Sequence, residues 1–333
     1  MAIGILASKC GRRFASDCPV RGQGITFITV AAVSPVTGQP GPRRSNSGLG
    51  IAYMALGMFL FAAVDAQAKF LTLTMHPVQI VWFRQLGLLV GVVFLLSLQG
   101  SSSLRTQFPA LQILRGFLAV GSATLFVIAV SFVPLADAVA VAFVAPFIVT
   151  VLGAIILREP VGARRWIAVT IGFVGAMIVI RPGLGVIHPA IILVLVAAVL
   201  FALRQILSRV LSSSDRTVTT VAYTALVGSF VLTVPLPFVW QWPTTNSEIL
   251  LLASIALLAA LAELLVIKAL ETAQAVVVAP VQYSMLVWGT IYGYLLFSQL
   301  PDLWTLTGAL IIVATGIYTF NRERKAKSGT SPV

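Results

Sequence analysis

Apolar residues run in long blocks along this chain, and polar and turn-forming residues collect in short separators between them. Ten blocks follow residue 47: 48–70, 78–98, 111–133, 136–157, 165–180, 189–211, 217–235, 249–270, 273–297 and 303–320. A helix that crosses a bilayer needs about 20 apolar residues, each rising about 1.5 Å. Most of the blocks meet that length; 165–180 is short, and 217–235 is diluted by Thr and Ser. The separators carry helix breakers: Met75-His76-Pro77, Arg158-Glu159-Pro160, Arg181-Pro182-Gly183 and Gln299-Leu300-Pro301. Hydrocarbon offers the backbone no hydrogen-bond partner, so each block must satisfy its own amides as helix. The pattern predicts an all-α polytopic membrane protein with ten transmembrane helices.

Composition strengthens this picture. Hydrophobic residues make up 59% and charged residues 10%, against about 25% charged in soluble domains; mean hydropathy is +1.01. The net charge of +12 does not point to nucleic acid, because the basic residues form no single soluble face. Eighteen of the 22 basic residues fall on one set of helix ends. These are Lys9, Arg12, Arg13, Arg21, Arg43, Arg44, Arg105, Arg115, Arg158, Arg164, Arg165, Arg209, Arg216, Lys268, Arg322, Arg324, Lys325 and Lys327. Lys69 and Arg181 mark the opposite side, and Arg84 and Arg204 lie within blocks. Such a bias marks the cytoplasmic side. It places both termini in the cytoplasm, which agrees with an even number of spans. Residues 1–47 read as a basic, disordered cytoplasmic tail, with one short apolar patch at 25–33 after Arg12-Arg13 that loosely resembles a targeting sequence. Residues 321–333 read as a second basic cytoplasmic tail. Cys10 and Cys18 both lie in the first tail, and His76 and His188 in separate loops, so neither a metal site nor a cofactor is expected.

The chain also repeats. A shift of 140 residues places Leu60-Phe61-Ala62 on Leu200-Phe201-Ala202, Lys69 on Arg209 and Leu71 on Leu211; a shift of 141 places Pro160 on Pro301 and Gly175 on Gly316. The halves are 48–183 and 189–320, with five helices each. Five is odd, so the halves enter the membrane from opposite sides: two inverted five-helix repeats. The loop after the fourth helix is basic, while its counterpart after the ninth has no Lys or Arg. Inverted repeats with a midplane site between them are a recurring transporter plan.

Certain residues bear a family likeness. Phe132-Val133-Pro134-Leu135-Ala136-Asp137-Ala138, Ala145-Pro146-Phe147, Leu157-Arg158-Glu159-Pro160, Gly172-Phe173-Val174-Gly175 and Ile180-Arg181-Pro182-Gly183 resemble the first repeat of the EamA-type drug/metabolite transporter superfamily. Ala279-Pro280-Val281-Gln282-Tyr283, Trp288, Phe297, Pro301 and Gly308 resemble the second. The resemblance covers roughly residues 50–320 and implies a ten-helix inner-membrane carrier of small organic solutes. Where the family often has Glu before the last loop, this chain has Gln299, which argues against proton coupling there.

Of ten acidic residues, Asp65 and Glu263 lie deep inside apolar blocks, where charge is functional by default. Asp65 falls in the outer third of the first helix. Arg84 falls about 9 Å below the outer surface on the second. With Gln67 and Gln85 they form an expected outer cluster. Arg204 and Glu263 form an expected inner one. The alternatives are a static packing pair and a snorkelling Arg. Pro146 and Pro280 are candidate helix breaks that free a carbonyl, or simple packing kinks. Tyr283, Trp288 and Tyr292 are candidate stacking residues for a planar solute, or packing aromatics; the last two, four apart, share a face. Trp240, Trp242 and Trp304 suit the membrane interface. Gly87–Gly91 and Gly289–Gly293 are GxxxG pairs that suit close helix packing. Neither HExxH, nor a GKS/T phosphate loop, nor a one-sided Ser-His-Asp set occurs. The expected function is a secondary transporter, not an enzyme. Its partners are a small-molecule solute and membrane lipid; a proton coupled through Asp65 or Glu263 and a homodimer are left open. The competing classes are a membrane enzyme acting on lipid-linked substrates and a non-transporting structural or sensory protein.

Overall fold

Proline and hydrocarbon together decide where the helices begin and end. The computed structural model describes residues 47–99, 106–158, 162–180, 188–211, 214–215, 217–273 and 278–328. Residues 1–46, with both cysteines, lie outside the described residues, as do Glu159-Pro160, Arg181-Pro182-Gly183 and residues 329–333. The helices are α1 (Ser47–Leu71), α2 (Pro77–Gln99), α3 (Pro109–Val130), α4 (Leu135–Ala142), α5 (Ala145–Ile156), α6 (Ala163–Ile180), α7 (Ile191–Leu211), α8 (Thr217–Thr233), the single turn α9 (Leu236–Val239) and α10 (Asn246–Thr272). A 3-10 turn (Ala279–Tyr283) then leads into α11 (Ser284–Phe297), and α12 (Leu303–Ser328) follows. No strand occurs among the described residues.

Several of these starts have a local cause. Pro77 and Pro109 open α2 and α3, where the missing N–H has no partner to lose. The Nδ1 of His76 accepts the Val78 amide at 3.3 Å and that of His188 accepts the Ala190 amide at 3.1 Å, so both histidines act as turn-closing groups. The Glu248 carboxylate accepts the Thr244 and Thr245 amides at 2.8 and 3.3 Å, closing the entry to α10. α11 ends in a left-handed turn at Ser298 (φ 53°). There the Gln299 amide donates back to the Gly293 carbonyl at 3.1 Å. This Schellman-type ending redirects Gln299 toward α1.

Two expected blocks are not single α-helices. Block 136–157 divides into α4 and α5 at Phe143-Val144, because Pro146 cannot donate to the carbonyl four residues back and its ring would clash with it. Block 273–297 carries the 3-10 turn before α11, with Pro280 in its first positions. At the other end, α12 continues through Ser328, so part of the segment read as a basic tail is helix.

The surface is apolar on a scale foreign to water-soluble proteins. Phe238 is 88% exposed, and Phe230, Val90, Ile155, Leu250, Leu257, Leu295 and Leu310 are exposed as well. Soluble monomers rarely show apolar patches beyond a few hundred Å². Six helical segments are long and apolar enough to cross a membrane: Gly48–Leu71, Pro77–Phe94, Pro109–Val130, Leu135–Ile156, Ile191–Leu211 and Asn246–Thr272. Trp166–Ile180, Thr217–Thr233 and Leu303–Tyr318 are shorter apolar helices.

Packing joins the first half to the second. α1 lies on α10 and α11, α2 on α8 and α10, α3 on α7 and α8, α5 on α7, and α6 on α12. Small residues set the closest approaches. A Cβ on Gly87 would overlap the Ala256 backbone, and one on Gly91 would touch the Ala260 Cβ at 3.4 Å, so this pair presses α2 onto α10. A Cβ on Gly308 would lie 2.5 Å from the Gly175 carbonyl, which marks the α6–α12 crossing. Gly289 is roomier, since its nearest neighbour is a Val139 methyl at 3.3 Å. Gly87→Ala is therefore expected to force the helices apart, with an overpacking cost of about 1–3 kcal/mol. The melting temperature in detergent should fall by several degrees, while Gly289→Ala should leave it within a degree. Equal melting curves for the two variants would contradict the close crossing.

Candidate functional site

The polar groups inside this apolar bundle gather along the interface between the halves. Asp65 projects from a stretch of α1 whose neighbours Val64 and Ala66 are fully buried, and it is itself only 5% exposed. Its Oδ1 lies 3.4 Å from Nη1 of Arg84 on α2. The Arg84 guanidinium also sits 5.6 Å from the centre of the Phe61 ring, a cation–π contact one turn below Asp65. Gln67 and Gln85 do not join this pair. Gln67 accepts the Ser254 hydroxyl of α10 at 3.0 Å, and Gln85 is buried against Gly228 of α8. Helix geometry explains the separation: residues one or two apart point to different faces.

Arg204 on α7 lays its guanidinium over Phe201, one turn back on the same helix, at 4.6 Å. It interacts electrostatically with Glu263 of α10 and with Arg84. The outer and inner clusters expected from depth alone are thus one charged line running Asp65, Arg84, Arg204, Glu263. Glu263 also borders a cleft with Leu88, Gly91, Val221 and Leu264, between α2, α8 and α10.

Arg115 was read as a helix-end charge of the cytoplasmic set. It is instead 9% exposed within α3. Its Nε donates to the Ser208 hydroxyl at 2.7 Å, and its Nη1 donates to the Thr220 carbonyl at 3.3 Å and to the Thr224 hydroxyl. It interacts with Arg204 and Glu263 and so extends the line. The available signal was its position five residues inside an apolar block. Nearby, Gln112 and Thr106 donate to the Asp215 carboxylate at 2.6 and 2.5 Å.

Lys69 was read as a marker of the outer surface. It is 8% exposed, and its Nζ donates to the Val133 carbonyl at 2.7 Å and to Gln299 Oε1 at 3.0 Å. It also lies over the Phe297 ring at 5.2 Å and interacts with Asp137. Asp137 is buried and accepts the Thr305 hydroxyl at 2.9 Å. A third intramembrane acid therefore stands beside Asp65 and Glu263.

The candidate stacking residues all have ring partners within the protein. Tyr283 stacks on Phe143 at 5.1 Å. Trp288 and Tyr292 both meet Phe59 of α1, at 5.0 and 5.8 Å. Trp240 sits among Trp82, Phe83 and Trp242, while Trp242 and Trp304 are exposed. Pro146 begins α5 and lends its carbonyl to the Thr150 hydroxyl at 3.1 Å; Pro280 lies in the 3-10 turn. No group of three metal-ligating side chains occurs among the described residues.

Comparison with known proteins agrees with this architecture. The EamA-like transporter family matches the chain twice, over residues 48–181 and 188–321. The S-adenosylmethionine uptake transporter of Rickettsia bellii is 28% identical over 84% of this chain and 96% of its own length. The riboflavin transporter of Vibrio cholerae is 31% identical over 84% and 95%, and the pseudopaline exporter of Pseudomonas aeruginosa is 27% identical over 83% and 97%. A solved crystal structure, 14% identical, shares the fold at a TM-score of 0.57 over 84% of this chain and 99% of that one. The protein is a multi-pass membrane transporter of small molecules, and it belongs to the EamA-like transporter family.

Proposed function

We propose that the chain carries a small organic metabolite across the inner (plasma) membrane by alternating access between two inverted five-helix halves, 48–183 and 189–320. One observation carries this reading: the packing repeats itself under the 140-residue shift. The α1–α10 contact has its counterpart in α3–α7, α2–α10 in α3–α8, and α1–α11 in α5–α7, while α2 meets α8 and α6 meets α12, each its own equivalent. Phe143 stacks on Tyr283, 140 residues away. A residue that packs on its own equivalent lies beside the axis relating the two halves. Inverted halves that rock about such an axis expose a midplane site to each side in turn, and the charged line lies along their interface.

Relatives named for S-adenosylmethionine, riboflavin and pseudopaline make these solutes the first to test. The experiment is solute flux into proteoliposomes holding the full chain, with and without an imposed pH gradient. Saturable flux of at least one small metabolite is expected. A gradient-dependent rate would assign proton coupling to the site of Asp65 or Glu263. Absence of flux across a broad metabolite panel would defeat the reading.

The arrangement also requires both termini in the cytoplasm. A periplasmic reporter enzyme fused after Val333 or at Pro160 should be silent, and one fused at Arg181 should be active. An active fusion at Pro160 would contradict the inverted arrangement.

A further inference from the structure

Among the described residues, the charged line holds a guanidinium with one nitrogen unpartnered, that of Arg204. Arg84 has Asp65 at 3.4 Å. Arg115 donates to Ser208, Thr220 and Thr224. Arg204 has the Phe201 ring and the more distant charge of Glu263, but its buried Nε has no hydrogen-bond partner. A buried polar atom without a partner in an apolar interior marks a place for a polar occupant. The line holds three guanidiniums, Arg84, Arg115 and Arg204, and two carboxylates, Asp65 and Glu263.

We propose that Arg204 anchors a carboxylate of the transported solute, which makes this a carrier of carboxylate-bearing metabolites. The inference rests on the transport reading above and narrows it. A guanidinium presents a planar fork of donors that matches the two oxygens of a carboxylate. A carboxylate would pair with the guanidinium, and a solute without one would leave Arg204 unpaired. The Phe201 ring lies against the guanidinium at 4.6 Å.

The test uses the full chain in proteoliposomes and matched probes. These are S-adenosylmethionine against its decarboxylated analogue, a panel of amino acids against their amides, and riboflavin as a solute without a carboxylate. The wild type should carry the carboxylate member of at least one pair about tenfold faster than its partner, or better. Arg204→Gln should bring that ratio close to 1, and Arg204→Lys should keep part of it. Because no hydrogen bond from the Arg204 Nε holds the fold among the described residues, Arg204→Gln should insert and melt close to the wild type. Arg115→Gln, which loses several such bonds, should melt at a lower temperature. Flux of riboflavin without flux of any carboxylate, or a ratio that survives Arg204→Gln, overturns the inference while leaving transport in place. Flux of none of the probes counts against the transport reading and overturns this inference with it.

Discussion

Asp65→Asn is expected to abolish flux, by at least tenfold, while the protein still reaches the membrane. Asp65 is buried at the interface of the halves and faces Arg84 at 3.4 Å. Removing one partner of a buried pair leaves the other charge unmatched, at about 3–5 kcal/mol; on insertion scales a central Arg costs about 2.5–3.5 kcal/mol. Phe61 offsets a part of this for Arg84, since a desolvated cation–π contact contributes about 2 kcal/mol. The orphaned Arg84 should therefore be tolerated well enough for Asp65→Asn to accumulate. Arg84→Gln leaves a carboxylate with no such ring and should accumulate less. The double variant Asp65→Asn/Arg84→Gln separates the two roles. If the pair takes part in transport, the double variant regains wild-type abundance but stays inactive. If the pair only fixes packing, the double variant regains flux as well, and recovery of full transport would refute a direct role for either residue.

The apolar blocks were legible because lipid imposes a length and a backbone rule that sequence displays directly. The helix interruptions were legible at Pro146 and Pro280 for a similarly local reason. The polar interior was only half legible. Charge counting assigns a basic residue to one side of the membrane but does not say which way it faces, so it could not show that Lys69 and Arg115 are buried. Both are turned inward by neighbours distant in sequence, Gln299 for Lys69 and Ser208 and Thr224 for Arg115. Depth estimates also put Asp65 with Arg84 and Arg204 with Glu263, but they could not show that Arg204 interacts with both Arg84 and Glu263. That requires knowing which helices are neighbours, and the α3–α7 and α2–α10 contacts leave no mark on the local pattern. The GxxxG motifs show the same limit: a Cβ on Gly87 would meet backbone, whereas one on Gly289 would meet only a Val139 methyl at 3.3 Å, with the same spacing in both.

The contacts of Lys69 lead to the second large effect. Through one ammonium group, α1 is tied to the turn after α3 and to the end of α11, so the tie crosses from one half of the chain to the other. Asp137 and Thr305 extend it to α12 at 2.9 Å. Its equivalent under the 140-residue shift, Arg209, is exposed. In the alternating-access arrangement proposed above, a buried tie between the halves would help hold one face shut. Lys69→Met should then weaken the closed face. Each hydrogen bond to a charged group contributes about 1.5–3 kcal/mol, and every 1.4 kcal/mol is about tenfold in a population. Loss of even one bond should shift the balance toward the opened face by about tenfold. The measurement places Val133→Cys, 2% exposed at the tie, in a background in which Cys10 and Cys18 are replaced by Ser. The rate of labelling by a membrane-impermeant maleimide is then followed with and without Lys69→Met. A tenfold faster rate in the Lys69 variant is the expected result. An unchanged rate would mean that the bonds to Val133 and Gln299 do not hold that face shut, and that the apolar packing around α4 and α11 closes it unaided.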